Sequence, residues 1–406
     1  MIAFPDAQRE VVDACAALAA QNVGLEEAVG RVAALSVRAI EDLIPFARSA
    51  MDGFAIAVDD LTSLPQTLPV AGAVFAARTT LEHIHARGTA TAIATGAALP
   101  VGADAVVPIE DVELIADSIR ITQRVEPGEA IFPPGEDARA GDVLLERGTV
   151  ITPGMLGILA AAGHGRVSVH RKPVVSILCG GDELVSIGER PGHGQIRNSN
   201  APVIAATLIA FGAVVRCTVA LPDDRESIRV ALGEALRASD LVITTGGASV
   251  GERDFIKGLC IELGVHFAFD TVALRPAKPT AFGRHETAAI AVLPGNPAAA
   301  FVALHEFVRP AVRALSGDRD LFAPRVFATL DGTINAKPQR HFAAFAALAA
   351  TSAGLVARPL ENQCSSLTRT IAESCGFILV PPGSHTYRAG DSVPFDVVDW
   401  SKLERR

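Results

Sequence analysis

The sequence predicts a multidomain protein of the α/β plus β class, with a doubly wound α/β domain as its largest part. Apolar strands alternate with helical stretches from residue 173 to about 320, which is typical of a parallel sheet covered by helices on both faces. Short alternating runs punctuated by Gly and Pro occur before and after this region. The 406 residues also exceed what one ordinary core accommodates.

Residues 1–44 and 143–172 predict an elongated helical frame. In the first segment, one helical face carries Val11, Val12, Cys15 and Leu18, and a second carries Val29, Val32 and Leu35. In the second segment, "ITPGMLGILAAAG" has helical character with Pro near its start. The frame therefore brackets whatever lies between its two halves.

Residues 45–142 predict an inserted β-rich domain, because runs such as "SIRITQRV" alternate and "FPPGEDARAGD" supplies turns. Residues 173–320 predict the α/β domain, whose strands are "VVSIL", "VVRCTVAL", "LVITT" and "AIAVL". Residues 321–406 return to strands such as "GFILVPPG" and predict a small C-terminal β domain.

Composition argues against several classes of function. The net charge is -9, the pI is about 5.6, and one Trp and one Tyr stand against 18 Phe, which disfavours nucleic-acid binding. The six cysteines are scattered, as in a reducing compartment. The N-terminus lacks the pattern of a signal peptide, and "FAAFAALAATSAGLVA" is shorter than a membrane span. We expect a soluble cytoplasmic protein.

Three strands of the α/β domain end in unusual loops, "LCGGDEL", "TTGGASVGERD" and "LPGNPAAAF". Since ligands bind outside the carboxyl ends of parallel strands, these loops are expected to line one crevice. Glycines allow backbone N–H groups to approach an anion, and the Pro-Gly-Asn-Pro turn opens a helix whose first N–H groups are free. Candidate binding residues in these loops are Gly180, Gly181, Asp182, Thr245, Gly246, Gly247, Ser249, Gly251, Pro294, Gly295, Asn296 and Pro297.

Carboxylates beside an anion-binding loop repel the anion unless a cation lies between them. Asp182, Glu183 and Asp254 are therefore candidate ligands of a metal ion that bridges to a phosphate or another oxyanion, although a tight turn followed by a solvated acidic helix start also fits the glycine loop. Arg275 and Lys278 are fenced by prolines in "LRPAKPTAFG" and are candidate anion-binding cations.

Other patterns carry less chemistry. No GxxxxGK[ST] loop and no GxGxxG after a strand is present, which disfavours an ordinary nucleotidase or dehydrogenase. His83 and His85 are interpreted as a surface pair and Cys179 as a small buried hydrophobe. Asp223 or Asp224 is either a helix N-cap or a site residue.

Seven segments in order resemble the molybdopterin molybdotransferase family, which is similar to the C-terminal domain of gephyrin. They are "SAMDGFAI", "IATGAALPVGADAVVPIED", "PGED", "GDEL", "TTGGASVGERDF", "LRPAKPTAFG" and "LPGNPAAAF". The resemblance implies a molybdopterin-binding α/β domain that takes adenylylated molybdopterin, inserts molybdate at its dithiolene and releases AMP with help from Mg²⁺. It further implies a homodimer in which the inserted domain caps the partner's α/β domain, with a molybdopterin adenylyltransferase and molybdoenzymes as possible partners.

The resemblance implies catalytic roles for Asp52, Thr95, Asp137, Glu183 and Asp254. A turn role for Asp52 ahead of Gly53 stays open. The chain departs from the family pattern at Cys179 and Gly180, where a Ser-Thr pair is usual, at Ala47 and Arg48, where Asp-Asn is usual, and at Phe132, in the segment ahead of the GED turn where an arginine is common. These departures leave open a divergent paralogue with altered activity.

Two other functions compete with metal insertion. A molybdopterin adenylyltransferase would share the α/β domain, but the additional domains argue against it. A scaffold or binding protein is the third hypothesis, and the absence of a long Pro/Ser linker disfavours it.

Overall fold

The computed structural model describes residues 1–77, 83–246, 255–383 and 385–405. The chain divides into two compact units. The first unit comprises Met1–Leu35, Arg147–Thr152 and Arg166–Arg406, and the second comprises Ser36–Glu146 and Pro153–Gly165. No helix in the described part of the chain is long and apolar enough to cross a membrane.

The first unit begins with α1 (Phe4–Asp13), β1 (Ala20–Gly24) and α2 (Leu25–Ala28). The prediction of a helix that carries Val29, Val32 and Leu35 on one face is wrong. Val32 forms a β-bridge with Val150, the next residue bridges to Val169, and Leu35 is exposed. Valines favour extended backbone, and here Val32 is buried at an isolated β-bridge whereas Val29 is exposed, so the apolar spacing of three did not indicate a helix.

The second unit is β-rich, as predicted for the inserted part. Its elements are β2 (Val37–Arg38), β3 (Arg48–Ser49), β4 (Gly53–Ile56), β5 (Gln66–Val74), β6 (Ala90–Ile93), β7 (Ala105–Pro108), β8 (Val112–Ile115), β9 (Ser118–Ile121), β10 (Ile131–Phe132), β11 (Val143–Leu145) and α3 (Pro153–Ala161). A six-stranded sheet runs β7-β4-β6-β5-β9-β8. Its core contains the fully buried Ile56, Ile119 and Ile121.

The α/β part of the first unit follows. Its elements are β12 (Arg166–His170), β13 (Val174–Gly180), β14 (Leu184–Val185), β15 (Ile196–Arg197), α4 (Asn200–Ala210), β16 (Val214–Leu221), α5 (Arg225–Ala238), β17 (Leu241–Thr245), α6 (Ile256–Glu262), β18 (His266–Phe269), β19 (Leu274–Arg275), β20 (Ala281–Arg284), β21 (Ala289–Leu293), α7 (Pro297–Ala303) and α8 (Arg309–Leu315). A π-helical turn, Leu304–Val308, joins α7 to α8.

The predicted doubly wound sheet is confirmed, with strand order β16-β13-β17-β21-β20-β18. The first four strands are parallel, and β20 and β18 add antiparallel pairings at one edge. Successive residues of a strand point to opposite faces: Ile177 packs in the core beneath α1, α4 and α7, whereas Leu178 packs with α5 and α6. The chain leaves β13 toward β16 and returns on its other side as β17, which makes their carboxyl ends a topological switch point.

The C-terminal part is a small β domain, also as predicted. Its elements are β22 (Arg325–Leu330), β23 (Ile334–Asn335), β24 (His341–Thr351), β25 (Gly354–Pro359), α9 (Thr368–Glu373), β26 (Gly376–Val380), β27 (Thr386–Tyr387), β28 (Ser392–Val397) and β29 (Glu404–Arg405). β24, β25, β22, β28 and β26 pair in a closed ring. The apolar segment from Phe342 forms most of β24 and continues into β25. Alternate side chains of β24, among them Phe342, Ala344, Ala346 and Leu348, pack in the core of this domain. β19 also pairs with β24.

Candidate functional site

A cavity of about 580 Å³ lies at the carboxyl ends of β13, β17 and β21, where the switch point predicts a ligand. We call it the strand-end cavity. It is lined by Gly180, Glu183, Leu184, Ile196, Arg197, Asn198, Ser199, Asn200, Thr245, Gly246, Lys257, Thr271, Lys278, Pro279, Pro294, Gly295, Asn296 and Pro297. Its volume falls within the range of small-molecule sites.

The glycines at this edge let three loop backbones approach closely. Gly246 has φ +84°, and a Cβ at this position would lie 2.2 Å from the carbonyl oxygen of Gly180. A Cβ on Gly295 would lie 3.5 Å from the Cα of Gly246. No side chain fits at Gly246 without moving the end of β13, so the floor of the cavity is backbone.

Asn200, the first residue of α4, ties the loops together. Its Nδ2 donates to Thr245 Oγ1 at 3.1 Å and to the carbonyl oxygen of Gly295 at 2.8 Å. Thr245 Oγ1 in turn donates to the carbonyl oxygen of Pro294 at 3.0 Å, and Thr245 is buried. One amide therefore fixes the ends of β17 and β21 relative to the start of α4.

The described lining of the strand-end cavity is cationic. Arg197, Lys257 and Lys278 contribute positive charge, and Glu183 contributes the one carboxylate. Lys257 Nζ donates to the carbonyl oxygen of Asp270 at 3.0 Å, which anchors the ammonium group. A surplus of cations over carboxylates attracts an anionic ligand despite the protein's net negative charge.

The structure brings together nine of the predicted binding residues in this cavity. They are Gly180, Glu183, Thr245, Gly246, Lys278, Pro294, Gly295, Asn296 and Pro297. Gly181, Asp182 and Arg275 lie outside its lining. Gly247, Ser249, Gly251 and Asp254 lie outside the described residues.

Asp182 stabilises a neighbouring loop. Its Oδ1 accepts the backbone N–H of Asp223 at 2.9 Å. Asp224 is the N-cap of α5, because its carboxylate accepts both the N–H and the hydroxyl of Ser227. These hydrogen bonds lower the pKa of Asp224. The contacts therefore support the hypothesis of a helix N-cap, at Asp224, over that of a site residue.

The Pro-Gly-Asn-Pro turn opens α7, as expected, but its N-terminus is less free than predicted. The N–H of Ala298 donates to the carbonyl oxygen of Ser365 at 2.9 Å, and Asn296 Nδ2 donates to Ser365 Oγ at 3.3 Å. The C-terminal domain thus supplies part of the cap that the sequence left for a ligand.

Arg275 lies in a different cavity from Lys278. Arg275 lines a cavity of about 430 Å³ together with Lys337 and Phe342 of the C-terminal domain, and we call it the Arg275 cavity. The guanidinium carbon of Arg275 is 5.8 Å from the ring centroid of Phe342, and Lys337 Nζ is 5.4 Å from the same centroid. Pairing of β19 with β24 carries Arg275 to this domain, so the two cations do not share one site.

In the second unit, Asp52 holds the loop after β6. Its Oδ1 accepts the backbone N–H of Thr95 at 2.7 Å and the hydroxyl of Thr95 at 3.0 Å. Both hydrogen bonds lower the pKa of this exposed carboxylate. The next residue, Gly53, has no room for a side chain, because a Cβ would lie 2.1 Å from the carbonyl oxygen of Val107. The contacts fit the turn role, and they also present Asp52 and Thr95 together at the surface.

Two of the departures noted in the sequence contact each other. The guanidinium carbon of Arg48 is 4.9 Å from the ring centroid of Phe132, its cross-strand partner between β3 and β10.

Asp137 is exposed in the turn that follows β10. Cys179 is fully buried, and burial raises the pKa of its thiol, which fits the small-hydrophobe interpretation.

The histidine pair is divided between surface and interior. His83 is exposed, whereas His85 is buried and its Nδ1 is 3.1 Å from Thr91 Oγ1, which corrects the interpretation of both as surface residues. The described residues contain no group of three or more His, Cys, Asp or Glu side chains arranged to hold a metal ion.

Sequence reasoning missed the residues that lead into α4 and begin it. Asn198, Ser199 and Asn200 line the strand-end cavity, as does the distant Lys257. The string "RNSNAP" has the Asn/Ser pattern and early Pro of a helix start, which could have indicated a loop in this position. Nothing local distinguishes Lys257 from other surface lysines.

Family models match most of the chain. They are "MoeA N-terminal region (domain I and II)" over residues 2–163, "Probable molybdopterin binding domain" over 176–314 and "MoeA C-terminal region (domain IV)" over 328–398. The strand-end cavity is lined by residues of the second segment.

Curated relatives and a solved structure agree with these models. The chain is 33% identical to a molybdopterin molybdenumtransferase of Bacillus subtilis, over 94% of this chain and 93% of the relative. It is 37% identical to one of Haemophilus influenzae, over 78% of each. A crystal structure of a molybdopterin biosynthesis moeA protein from Pyrococcus horikoshii matches with TM-score 0.85 and 28% identity, over 98% of this chain and 100% of that one. The chain belongs to the molybdopterin molybdenumtransferase family.

Proposed function

We propose that this chain inserts molybdate at the dithiolene of adenylylated molybdopterin and releases AMP, and that the strand-end cavity binds the phosphate-bearing part of this substrate. It is a transferase of molybdenum-cofactor biosynthesis. The observation that carries the assignment of the site is the cationic, backbone-floored cavity at the switch point, with Arg197, Lys257 and Lys278 around it. Such a site recognises a pyrophosphate through charge and N–H groups.

The residues around the cavity bind and orient. Lys257 and Lys278 offset the negative charge of the phosphates, and the Asn200 hydrogen bonds hold the loops at fixed spacing. Breaking a phosphoanhydride requires charge neutralisation and positioning more than a dedicated protein nucleophile. The catalytic contribution we assign to this cavity is therefore preorganisation.

The donor set fits Mg²⁺ bound with substrate. Mg²⁺ is commonly held by one or two carboxylates together with phosphate oxygens, and Glu183 is the carboxylate that lines the cavity. Asp254, outside the described residues, is the second candidate. When bound, Mg²⁺ supplies charge neutralisation at the bridging phosphate oxygens. Asp182 is a weaker candidate because its Oδ1 already accepts the N–H of Asp223.

We assign molybdate to the Arg275 cavity. Arg275 and Lys337 both lie over the Phe342 ring there, and together they offer two cations to an oxyanion. Asp331 and Glu361 also line this cavity, so the assignment requires the oxyanion to contact Arg275 and Lys337 and to avoid these two carboxylates. We further propose roles for Asp52, Thr95 and Asp137 in the reaction and a homodimer as the active form in the cytoplasm. Light scattering on the purified protein measures the oligomeric state directly.

The test of function is a reconstituted reaction. Purified chain is incubated with adenylylated molybdopterin, molybdate and Mg²⁺, and AMP release and molybdenum incorporation are followed. The proposal requires AMP release that depends on molybdate. In a parallel incubation with molybdopterin, ATP and Mg²⁺, release of pyrophosphate would identify an adenylyltransferase instead. Binding of molybdopterin without turnover in either mixture would favour a scaffold or a divergent paralogue.

The role of Glu183 has its own test. Glu183→Gln removes the carboxylate charge, and AMP release is expected to require a much higher Mg²⁺ concentration. Glu189→Gln is the matched control, because Glu189 is exposed and outside the cavity. Equal Mg²⁺ dependence of both variants would remove Glu183 from the metal site.

A further inference from the structure

Arg275 and Lys278 leave one short turn toward different cavities. We call residues Arg275–Thr280 the cation turn. Lys278 lines the strand-end cavity, whereas Arg275 lines the Arg275 cavity. β19 holds one end of the turn by pairing with β24, and β20 begins at Ala281, directly after the other end. The backbone conformation between these two anchors therefore decides where the Lys278 ammonium group is presented.

Ala277, which precedes Lys278, has a backbone conformation that is unusual for a residue with a side chain. Its φ is +94°, and it is the one residue other than glycine with a positive φ in the described part of the first unit. A Cβ atom makes this conformation costly, so it persists only where the surrounding contacts over-determine it. The Ala277 methyl group is buried in the same core as Val272 and Leu274. Contacts within the protein therefore maintain a turn that the backbone alone would not favour.

Hydrogen bonds hold both peptide groups that flank the Cα atom of Lys278. The carbonyl oxygen of Ala277, on the first peptide group, accepts the N–H of Thr280 at 3.2 Å and the hydroxyl of Thr280 at 2.8 Å. The carbonyl oxygen of Lys278, on the second, accepts the N–H of Val272 at 3.0 Å. Pro279 further restricts the backbone of the residue before it. Because peptide groups are planar, these contacts fix the direction in which the Lys278 side chain leaves the backbone.

The hydroxyl of Thr280 is a second donor to an oxygen that is already paired. The N–H of Thr280 alone would satisfy the Ala277 carbonyl, and the hydroxyl adds a second hydrogen bond from another direction. Thr280 is fully buried and does not line the strand-end cavity, so its hydroxyl acts on the turn and not on a ligand. Two donors on one oxygen restrict the tilt of the Ala277–Lys278 peptide group more than one donor does.

We propose that Thr280 is a positioning residue for the strand-end cavity: its hydroxyl holds the Ala277 carbonyl and thereby directs the Lys278 ammonium group toward the phosphate groups of the substrate. The inference rests on the proposed function, because it requires that Lys278 binds phosphate. A lysine side chain has several rotatable bonds, and a fixed backbone leaves less freedom to be lost when the ammonium group is ordered on a ligand. Thr280 acts on the ligand only through Lys278.

The test measures binding of inorganic pyrophosphate to the full-length chain by calorimetry, in the absence of Mg²⁺. Thr280→Val removes the hydroxyl and keeps the shape of the side chain and the backbone N–H, whereas Thr280→Ser keeps the hydroxyl and removes a methyl group. The matched control is Thr287→Val, because Thr287 Oγ1 also donates to a backbone carbonyl at 2.8 Å, that of Leu236, and Thr287 lies outside the cavity. Thr280→Val is also combined with Lys278→Ala.

We expect Lys278→Ala to weaken pyrophosphate binding about tenfold, and Thr280→Val to weaken it about fivefold, since it misdirects the ammonium group without removing it. Thr280→Ser and Thr287→Val are expected to stay within about twofold of the wild type, although both lower the unfolding temperature. In the Lys278→Ala chain, Thr280→Val is expected to have no further effect on binding, because the group through which it acts is absent. A merely structural role of the hydroxyl would weaken binding equally in both chains.

The proposal is overturned if Thr280→Val binds pyrophosphate as the wild type does, if Thr280→Ser loses as much affinity as Thr280→Val, or if the effect of Thr280→Val is the same with and without Lys278. Thr280→Ala is a second variant without the hydroxyl, and it provides the same measurement if valine prevents folding. If the wild type binds no pyrophosphate, or if Lys278→Ala binds it equally well, the assignment of phosphate to the cavity fails together with this proposal. If Lys278→Ala alone weakens binding, that assignment stands and only the role of Thr280 is wrong.

Discussion

Asn200→Ala is expected to loosen the strand-end cavity and to slow the reaction. The substitution removes two hydrogen bonds, at 3.1 Å to Thr245 Oγ1 and at 2.8 Å to the carbonyl oxygen of Gly295. Each is worth about 0.5–1.5 kcal/mol, so the free energy of unfolding of the first unit should fall by about 1–3 kcal/mol. A loss of 2 kcal/mol lowers the unfolding midpoint by about 4–8 °C in a domain of about 150–250 residues, and by less in this larger unit.

The expected kinetic effect is larger than the effect on stability. Small displacements of positioning loops can slow a reaction about a hundredfold, and we expect AMP release to slow at least about tenfold. Thermal unfolding and AMP release are measured on Asn200→Ala and on the control Asn22→Ala, whose side chain is exposed on β1. The reasoning is refuted if Asn200→Ala matches the control in both measurements, because the loops would then hold their spacing without the amide.

Four further outcomes are expected. Gly246→Ala should destabilise by more than the roughly 1–2 kcal/mol of left-handed backbone strain, since its Cβ also meets the Gly180 carbonyl oxygen at 2.2 Å, whereas Gly258→Ala in α6 has open space and should be stabilising in chemical denaturation. Lys278→Ala should raise the KM for adenylylated molybdopterin about tenfold, whereas Arg275→Ala should raise the molybdate concentration that gives half-maximal rate. If each variant affected both ligands equally, the assignment of the ligands to separate cavities would be contradicted. Hydrogen bonds lower the pKa of Asp52 from 3.8, so its contribution to stability is present above pH 3.8 and is lost as the pH falls below it. The free energy of unfolding of Asp52→Ala should therefore decrease less steeply at acid pH than that of the wild type. Burial raises the pKa of Glu306 from 4.5 to about 8, so between these pH values the folded state retains a proton that the unfolded state loses. The free energy of unfolding of the wild type should therefore fall, relative to that of Glu306→Gln, by up to about 1.4 kcal/mol per pH unit as the pH rises through this window. Parallel stability curves for the two chains would contradict this prediction.

The sheet could be predicted from the sequence because its strands are continuous apolar runs. Val175, Ile177 and Ile243 are fully buried, and continuous apolar runs of this length are typical of strands that are covered on both faces. The same pattern predicted the edge of the sheet at which the loops meet, because the carboxyl ends of parallel strands lie on one side of the sheet. The glycine at position 246 is placed where the predicted loop required it.

What the sequence could not supply was contact between distant segments. Arg275 and Lys278 are close in sequence, yet β19 diverts Arg275 to the C-terminal domain, and no local pattern predicts that pairing. Asn200 became important only because its amide reaches two other loops. The predicted helix through Val32 was wrong for a related reason, because a spacing of three apolar residues also occurs where separate backbone bridges bury them.

The backbone floor of the strand-end cavity has a consequence for how substrate preference can change. Gly246 admits no side chain, so neither natural drift nor a designed library can vary the ligand-facing surface there without moving β13. Side chains that can vary line the same cavity at Arg197, Asn198 and Ser199, and these three residues also line a neighbouring cavity of about 960 Å³. Any substitution that retunes the substrate through these three residues therefore also reshapes the neighbouring cavity.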